Sequence, residues 1–336
     1  MTTISATQGS FPTDISEIRS RLRSWNQVKT MRWALGNGSE SAENQPSSAI
    51  LIAIDCEWHE NEPRELTEIG IAMLDTRDIQ GLEPGPNAEN WLDKIWFYHL
   101  RIREHGHMLN TRFCPGHPDD FNWGTTKWVT KAEASRALHD LFTERVEPPK
   151  PELCPVVFLG HAVHGDSQKL AEHLQFDMGA IGSVVSTLDT QVIANECGYR
   201  GRGDTIGLGP LCSRFDISPK HLHNAGNDSG YTLITAVMMG LTSEQKELAK
   251  VDKPVDSLMT SLMAARKSYR PPSWGVESFC TRCDRVGHVQ PQCRARVECS
   301  KCKAKSRRGY RSHSTHRCTR VERVYESMDE FNNIQW

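Results

Sequence analysis

Three short stretches of this chain place carboxylates where carboxylates are costly. Asp55-Cys56-Glu57 begins at the last residue of an apolar run, Ala49–Asp55 (AILIAID). The run has strand length, and residues i and i+2 of a strand point to one face, so two acids project together from the end of a buried strand. They repel each other unless a positive charge lies between them, and a divalent cation is the obvious one. Alone, an Asp-x-Glu pair reads more simply as a polar strand end in solvent. Two further acids shift that balance. Phe158–Leu170 (FLGHAVHGDSQKL) reads as a buried strand, a turn and Asp166 in the first turn of a helix. His223-Asn224-Ala225-Gly226-Asn227-Asp228 then leads into a second, amphipathic helix, with Asp228 near its start. An all-oxygen set of this kind suits Mg²⁺ or Mn²⁺ rather than zinc.

A second chemistry lies near the C-terminus, where six of the eleven cysteines fall in the last fifth of the chain. Cys280-x2-Cys283-x4-His288-x4-Cys293 has the CCHC zinc-knuckle spacing in full, with Gly287 before the histidine. Cys299-x2-Cys302-x10-His313-x4-Cys318 repeats both half-motifs around a longer centre. His316 is an alternative third ligand; His313 keeps the His-x4-Cys step of the first knuckle. Each set closes a tetrahedral structural Zn²⁺ site. Met1–Ser10 is polar and does not read as a secretion signal, so the expectation for paired cysteines is metal ahead of disulfides. His105-x-His107…Cys114-x-x-His117 fits no standard zinc spacing and reads as a substrate-facing loop.

Charge follows the same division. The chain carries −2 overall, but Pro272–Arg320 holds twelve Lys/Arg against three acids, a net of +9, which leaves −11 for the rest. An acidic body with a basic tail points to a tail that meets polyanions, with a solubilising charged surface as the other reading. Knuckles commonly take single-stranded RNA or DNA through aromatic residues. Here the usual aromatic position holds Thr281, and Asp284 stands where Gly is usual; Phe279 and Tyr310 are the aromatics nearby. A structural clip or a protein-docking module is therefore the alternative use. No stretch approaches the ~18 apolar residues of a membrane span, so the expected location is intracellular, cytoplasmic or nuclear, with no membrane partner.

The elements that must position these groups follow from periodicity. Ile15, Ile18, Leu22, Trp25 and Val28 predict one helix over Asp14–Leu35, and Gly36–Ser48 reads as a flexible linker. Ala49–Asp55, Glu68–Leu74 and Lys94–Ile102 predict three strands in a meander. Thr130-x-x-Glu133 is a capping box that opens a helix running to about Val146. Strands at Val156–Leu159 and Val184–Leu188 then alternate with helices, one of them Asp166–Leu174. Helices follow at Ser229–Met239 and Ser243–Ala265, and Arg270–Ser273 breaks the chain. This order predicts an α/β fold, an RNase H-like mixed sheet flanked by helices, plus a small zinc-knuckle module. The expected domains are 1–48 (helix and linker), 49–242 (sheet domain), 243–274 (helical connector), 275–320 (tandem zinc module) and 321–336 (tail).

Over roughly residues 49–240 the sequence resembles the DEDDh exonuclease superfamily, of the RNase T and proofreading type. The resemblance rests on Asp55/Glu57 on the first strand, Gly160-His161 with Asp166 before a helix, and His223 with Asp228, in that order. The stretch from Phe113-Cys114 through Phe121-Asn122-Trp123-Gly124 to Trp128 looks like a fungal branch of such proteins. The resemblance implies a two-metal site of Mg²⁺ or Mn²⁺. Asp55, Glu57 and Asp228 would hold one ion, while Asp55 would bridge to a second that Asp166 ligates through water. It also implies His223 as general base, with His161, His164 and His221 in structural or substrate-side roles. Two positions depart from the family pattern: Trp58-His59-Glu60 replaces the usual Thr-Thr-Gly, and Gly165 stands where an aromatic often precedes the second-motif acid. Both concern how the terminal base is held. The expected function is a metal-dependent 3′→5′ exonuclease on single-stranded nucleic acid, RNA ahead of DNA, aided by the zinc module. The alternative is a catalytically weak nucleic-acid-binding or scaffold protein that keeps the fold.

Overall fold

The computed structural model describes residues 14–37, 48–147, 149–201, 203, 205–241, 255–268 and 272–319. The chain forms two compact units, Met1–Ser278 and Phe279–Trp336. The first contains, in order, α1 (Ile15–Leu22), α2 (Gln27–Ala34), β1 (Ile50–Trp58), β2 (Leu66–Asp75), α3 (Glu89–Leu92), β3 (Trp96–Ile102), β4 (Lys127–Val129), α4 (Lys131–Phe142), β5 (Val156–Gly160), α5 (His164–Leu174), β6 (Val184–Asp189), α6 (Thr190–Glu196), α7 (Leu208–Ser213), α8 (Ala225–Gly240) and α9 (Val255–Arg266). The second contains α10 (Ser300–Ala304).

One six-stranded mixed sheet, in the order β4-β3-β2-β1-β5-β6, organises the first unit. The expected meander is present, with β1–β2 and β2–β3 antiparallel, and β5 and β6 continue parallel to β1. Both faces of β1 are covered. Leu51 and Ala53 lie in one core with Tyr231, Leu233 and Ile234 of α8, and Ile50, Ile52 and Ile54 lie in the other with Leu138 of α4 and Leu170 of α5. A strand buried on both faces must be apolar at every position, and AILIA is such a run.

The capping box forms as expected: the Glu133 carboxylate accepts the Thr130 N–H at 2.8 Å, and the Thr130 hydroxyl accepts the Glu133 N–H at 3.2 Å. Its helix stops at Phe142 rather than near Val146. The helix expected over Asp14–Leu35 is two helices. Asn26 adopts an extended conformation (φ −71°, ψ 167°), and its side chain accepts the Lys29 N–H, starting α2 afresh. Asn offers the backbone a side-chain acceptor that a continuous helix would leave unused. The break lets α1 and α2 dock separately: Arg19 donates to the Val184 carbonyl at 2.8 Å, and Glu196 accepts the Val28 N–H at 2.8 Å. Strand β4 was not anticipated, because three residues carry too little periodicity; it pairs parallel with β3. Most of the Gly36–Ser48 segment, the first part of Ser243–Ala265, Arg270 with Pro271, and the 321–336 tail lie outside the described residues. Among the described residues, no helix is long and apolar enough to cross a membrane.

Candidate active site

The sheet opens at its middle. Pairing of β1 with β5 ends at Ala53–Leu159, while β1 continues with β2 as far as Trp58. The chain leaves β1 towards β2 on one side and leaves β5 towards β6 on the other. A crevice between strands whose connections diverge is where open α/β sheets place their ligands. Beyond Ala53, the Cys56 N–H is taken by the Asp166 carboxylate at 2.8 Å instead of by a strand. Asp166 thereby reaches β1 from the first turn of α5.

Asp55 and Glu57 point to the face covered by α8, which carries Asp228 in its first turn. Ligand atoms of Glu57, His223 and Asp228 all lie within 4.8 Å of one another. Asp55 and Asp166 stand outside that tight group, yet near enough for their charges to act on it. Burial, then the charges of Asp166, Asp228, Glu57 and Glu68, push the Asp55 carboxyl well above its ordinary range. Burial followed by Glu68, Asp228 and Asp166 raises Glu57 to about 8. Asp166 rises to about 7, mainly by burial and against the pull of the Cys56 amide. Burial likewise lifts Asp228 to about 7, partly offset by the His223 amide.

Asp228 Oδ2 accepts the His223 N–H at 2.9 Å, while its buried Oδ1 has no partner among the described residues. An orphaned carboxylate oxygen among mutually repelling acids is a costly arrangement that a bound cation would relieve. The donor set, all oxygen with one imidazole, fits a hard divalent ion.

His223 is exposed and takes a left-handed conformation (φ 63°), with its own carbonyl accepting the His117 N–H at 3.0 Å. Asn224 caps α8, and the Asn227 amide donates to the carbonyls of Asp120 and His221. These two asparagines hold the His223 turn, and sequence reasoning missed them. His221 is turned to other partners, with Nδ1 at 3.2 Å from Asn122 Oδ1 and its ring beside His117. His161 bonds the Thr190 hydroxyl at 2.8 Å, and His164 opens α5. His105 is held by the Leu66 carbonyl at 3.0 Å.

Glu68 was also missed. It sits directly across from Glu57 in the β1–β2 pair and is buried, 2.9 Å from His99 Nε2, whose Nδ1 meets the Thr126 hydroxyl at 2.9 Å. A lone acid in the run LTEIGIAML was the available signal, but only the register places it opposite Glu57. The two departures from the family pattern meet in space. A Cβ on Gly165 would lie 3.6 Å from the Trp58 ring, so the space beside position 165 is bordered by an aromatic from the end of β1.

In the second unit the Cys280/Cys283/His288/Cys293 ligand atoms lie within 4.8 Å of one another, as do those of Cys299/Cys302/His313/Cys318. A bond from His288 is the main reason the Cys293 thiol falls to about 6, which favours the metal-binding thiolate. His316 is not in either group. Its Nε2 lies 2.7 Å from Asp284 Oδ2, and Arg317 Nε donates to Asp284 Oδ1 at 2.8 Å. Asp284, where a knuckle usually has Gly, thus joins the first knuckle to the second. Arg282 adds a second tie, donating to the carbonyls of Cys293 and Arg311.

Sheet, crevice and carboxylate order together define an α/β exonuclease-like fold. The family model described as DNA polymerase III subunit epsilon-like, C-terminal domain (DEDDh_C) matches residues 50–239, more than half of the chain, and the chain belongs to this family. It is 27% identical over 223 residues to the uncharacterized protein YDR514C of Saccharomyces cerevisiae, a match that covers 61% of this chain and 44% of that protein. It is 28% identical over 197 residues to the uncharacterized nucleolar protein C2C4.08 of Schizosaccharomyces pombe, covering 57% of this chain and 68% of that one. Among solved structures, Escherichia coli exonuclease I in complex with a dA16 oligonucleotide aligns with 60% of this chain and 42% of its own, at 12% identity and a TM-score of 0.35.

Proposed function

We propose that this chain is a metal-dependent 3′→5′ exonuclease acting on single-stranded nucleic acid, with RNA ahead of DNA as substrate. The observation that carries the reading is the buried, unpartnered Asp228 Oδ1 beside Glu57 and His223. Asp55, Glu57 and Asp228 would hold one Mg²⁺ or Mn²⁺, and Asp55 with Asp166 would hold the second. Bound there, such ions offset the charge of the reacting phosphate and acidify water. His223 removes the proton of the attacking water at an imidazole nitrogen, since imidazole changes charge near neutral pH. Its backbone is pinned on both sides, by Asp228 and by His117, so the exposed ring stays at the carboxylates. Membership of the family supports the direction of attack, and the similarity to a nucleolar protein of fission yeast supports RNA.

The two Cys3His sets would each hold one structural Zn²⁺, and the module's net positive charge supports contact with phosphates. The reading is tested by incubating single strands of RNA and DNA, labelled at either end, with and without Mg²⁺ or Mn²⁺. A 5′-labelled strand should shorten stepwise, only with metal, and not with Asp55→Ala. Equal products from wild type and Asp55→Ala would overturn it.

A further inference from the structure

A strap formed by residues 109–117 crosses from the end of β1 to His223. At its first end Asn110 bonds in both directions, donating to the Trp58 carbonyl and accepting the Glu60 N–H, each at 2.8 Å. The Glu60 carboxylate then accepts three successive amides, those of Thr111 (3.4 Å), Arg112 (3.2 Å) and Phe113 (2.9 Å). At the far end His117 donates to the His223 carbonyl at 3.0 Å, and the Asn224 side chain donates to the His117 carbonyl at 2.8 Å. Trp58 follows Glu57 directly, so the strap spans the mouth of the carboxylate site. Cys114 on the strap feels the same charges: after burial, Glu57, Asp228 and Glu60 raise its thiol.

Phe113 stands out from this strap 72% exposed, with the Arg112 guanidinium 4.8 Å from its ring centroid. Its backbone is fixed by Glu60, so the ring is presented to solvent at little further entropic cost on binding, which is what preorganisation means for a contact residue. Unpaired bases stack on aromatic rings whatever their sequence, and an adjacent guanidinium suits both the ring face and a phosphate. We propose that Phe113 is a stacking platform for an unpaired base of the strand that enters the carboxylate site, with Arg112 taking the phosphate of that nucleotide. The assignment rests on the exonuclease reading and adds to it a base-binding position on the strap.

The test compares Phe113→Ala, Phe113→Tyr and Phe113→Leu in the full chain, on short oligouridylate and oligothymidylate strands. Cleavage is followed in Mn²⁺, and binding is followed by anisotropy of the labelled strands without added Mg²⁺ or Mn²⁺. Phe113→Ala should raise KM on the order of 10-fold, the loss of one base stack, with kcat largely kept. Phe113→Tyr should restore KM and Phe113→Leu should not. Walking an abasic site back from the 3′ end should find one position where wild type loses the same factor and Phe113→Ala loses no more. Unchanged KM in Phe113→Ala while wild type cleaves, or rescue by Phe113→Leu, overturns the platform alone. A wild type that neither cleaves nor binds either strand overturns the exonuclease reading and the platform with it.

Discussion

Gly70 and Ala225 approach so closely that no side chain fits between them: a Cβ on Gly70 would lie 1.7 Å from the Ala225 carbonyl oxygen. Gly70 is also the residue paired with Asp55 across β1 and β2. The missing side chain therefore lets the start of α8 rest on the sheet beside Asp55, which carries Asp228 into the site. Gly70→Ala must push backbone rather than a side-chain tip, so the helix start has to move. We expect a loss of at least the ~1–3 kcal/mol typical of overpacking, together with loss of nuclease turnover. Thermal unfolding and strand degradation measured side by side check this; wild-type values in both would refute the close approach.

The raised carboxylates set a pH dependence. Without Mg²⁺ or Mn²⁺, Glu57 titrates near 8, against an ordinary 4.5, and Asp166 and Asp228 near 7, against 3.8. Between those limits the folded chain holds protons that the unfolded chain has released, so stability falls as pH rises. Their contribution is whole below about pH 4 and is lost through pH 7 to 8. The melting temperature of cation-free protein should drop from pH 6 to pH 8, and added Mn²⁺ should raise it more at pH 8. Asp228→Asn should flatten the first slope and weaken the Mn²⁺ response. A slope the same in wild type and Asp228→Asn would count against the cluster.

His223 and His221 lie two residues apart but differ in surroundings, since only His223 joins Glu57 and Asp228. His223→Ala should lower kcat by ~10²–10⁴-fold, the range for a lost general base, with KM little changed. His221→Ala should cost far less, because its ring meets Asn122 and His117. Equal effects on kcat would reassign the base.

The partnership of His316 with Asp284 separates two histidines that spacing alone left open. His313→Ala should reduce bound zinc from two ions per chain to one, whereas His316→Ala should keep both. Asp284→Ala should also keep both while loosening the knuckles from each other, seen as faster proteolysis of the second unit. Loss of one zinc in His316→Ala would reverse the ligand assignment.

A tail deletion tests what the zinc module adds, and the structure decides where to cut. Trp274 packs on Tyr98, and Val276 pairs with Trp128, so both belong to the first unit. Removing Phe279–Trp336 should raise KM on long single strands and flatten its salt dependence, because fewer counterions are released, while leaving short strands unaffected. Equal KM and equal salt slopes would favour a docking or structural role for the knuckles.

Local pattern alone carried much of this protein. The apolar run before Asp55, the Thr130/Glu133 capping box and the cysteine spacings each state a backbone preference or ligand geometry within a few residues. For that reason the meander, α4 and both Cys3His groups are legible in the sequence. The split between α1 and α2 was written locally too, in Asn26, but the apolar period running through it masked the cap. What sequence could not contain was long-range register. Glu68 lies opposite Glu57, Gly70 under Ala225, Trp58 over Gly165 and Asp284 against His316 only because separate segments are brought together. Burial then decided the chemistry: the same carboxyl groups that would titrate near 4 in an open chain are raised to 7 or 8 where the sheet parts and α8 closes over them.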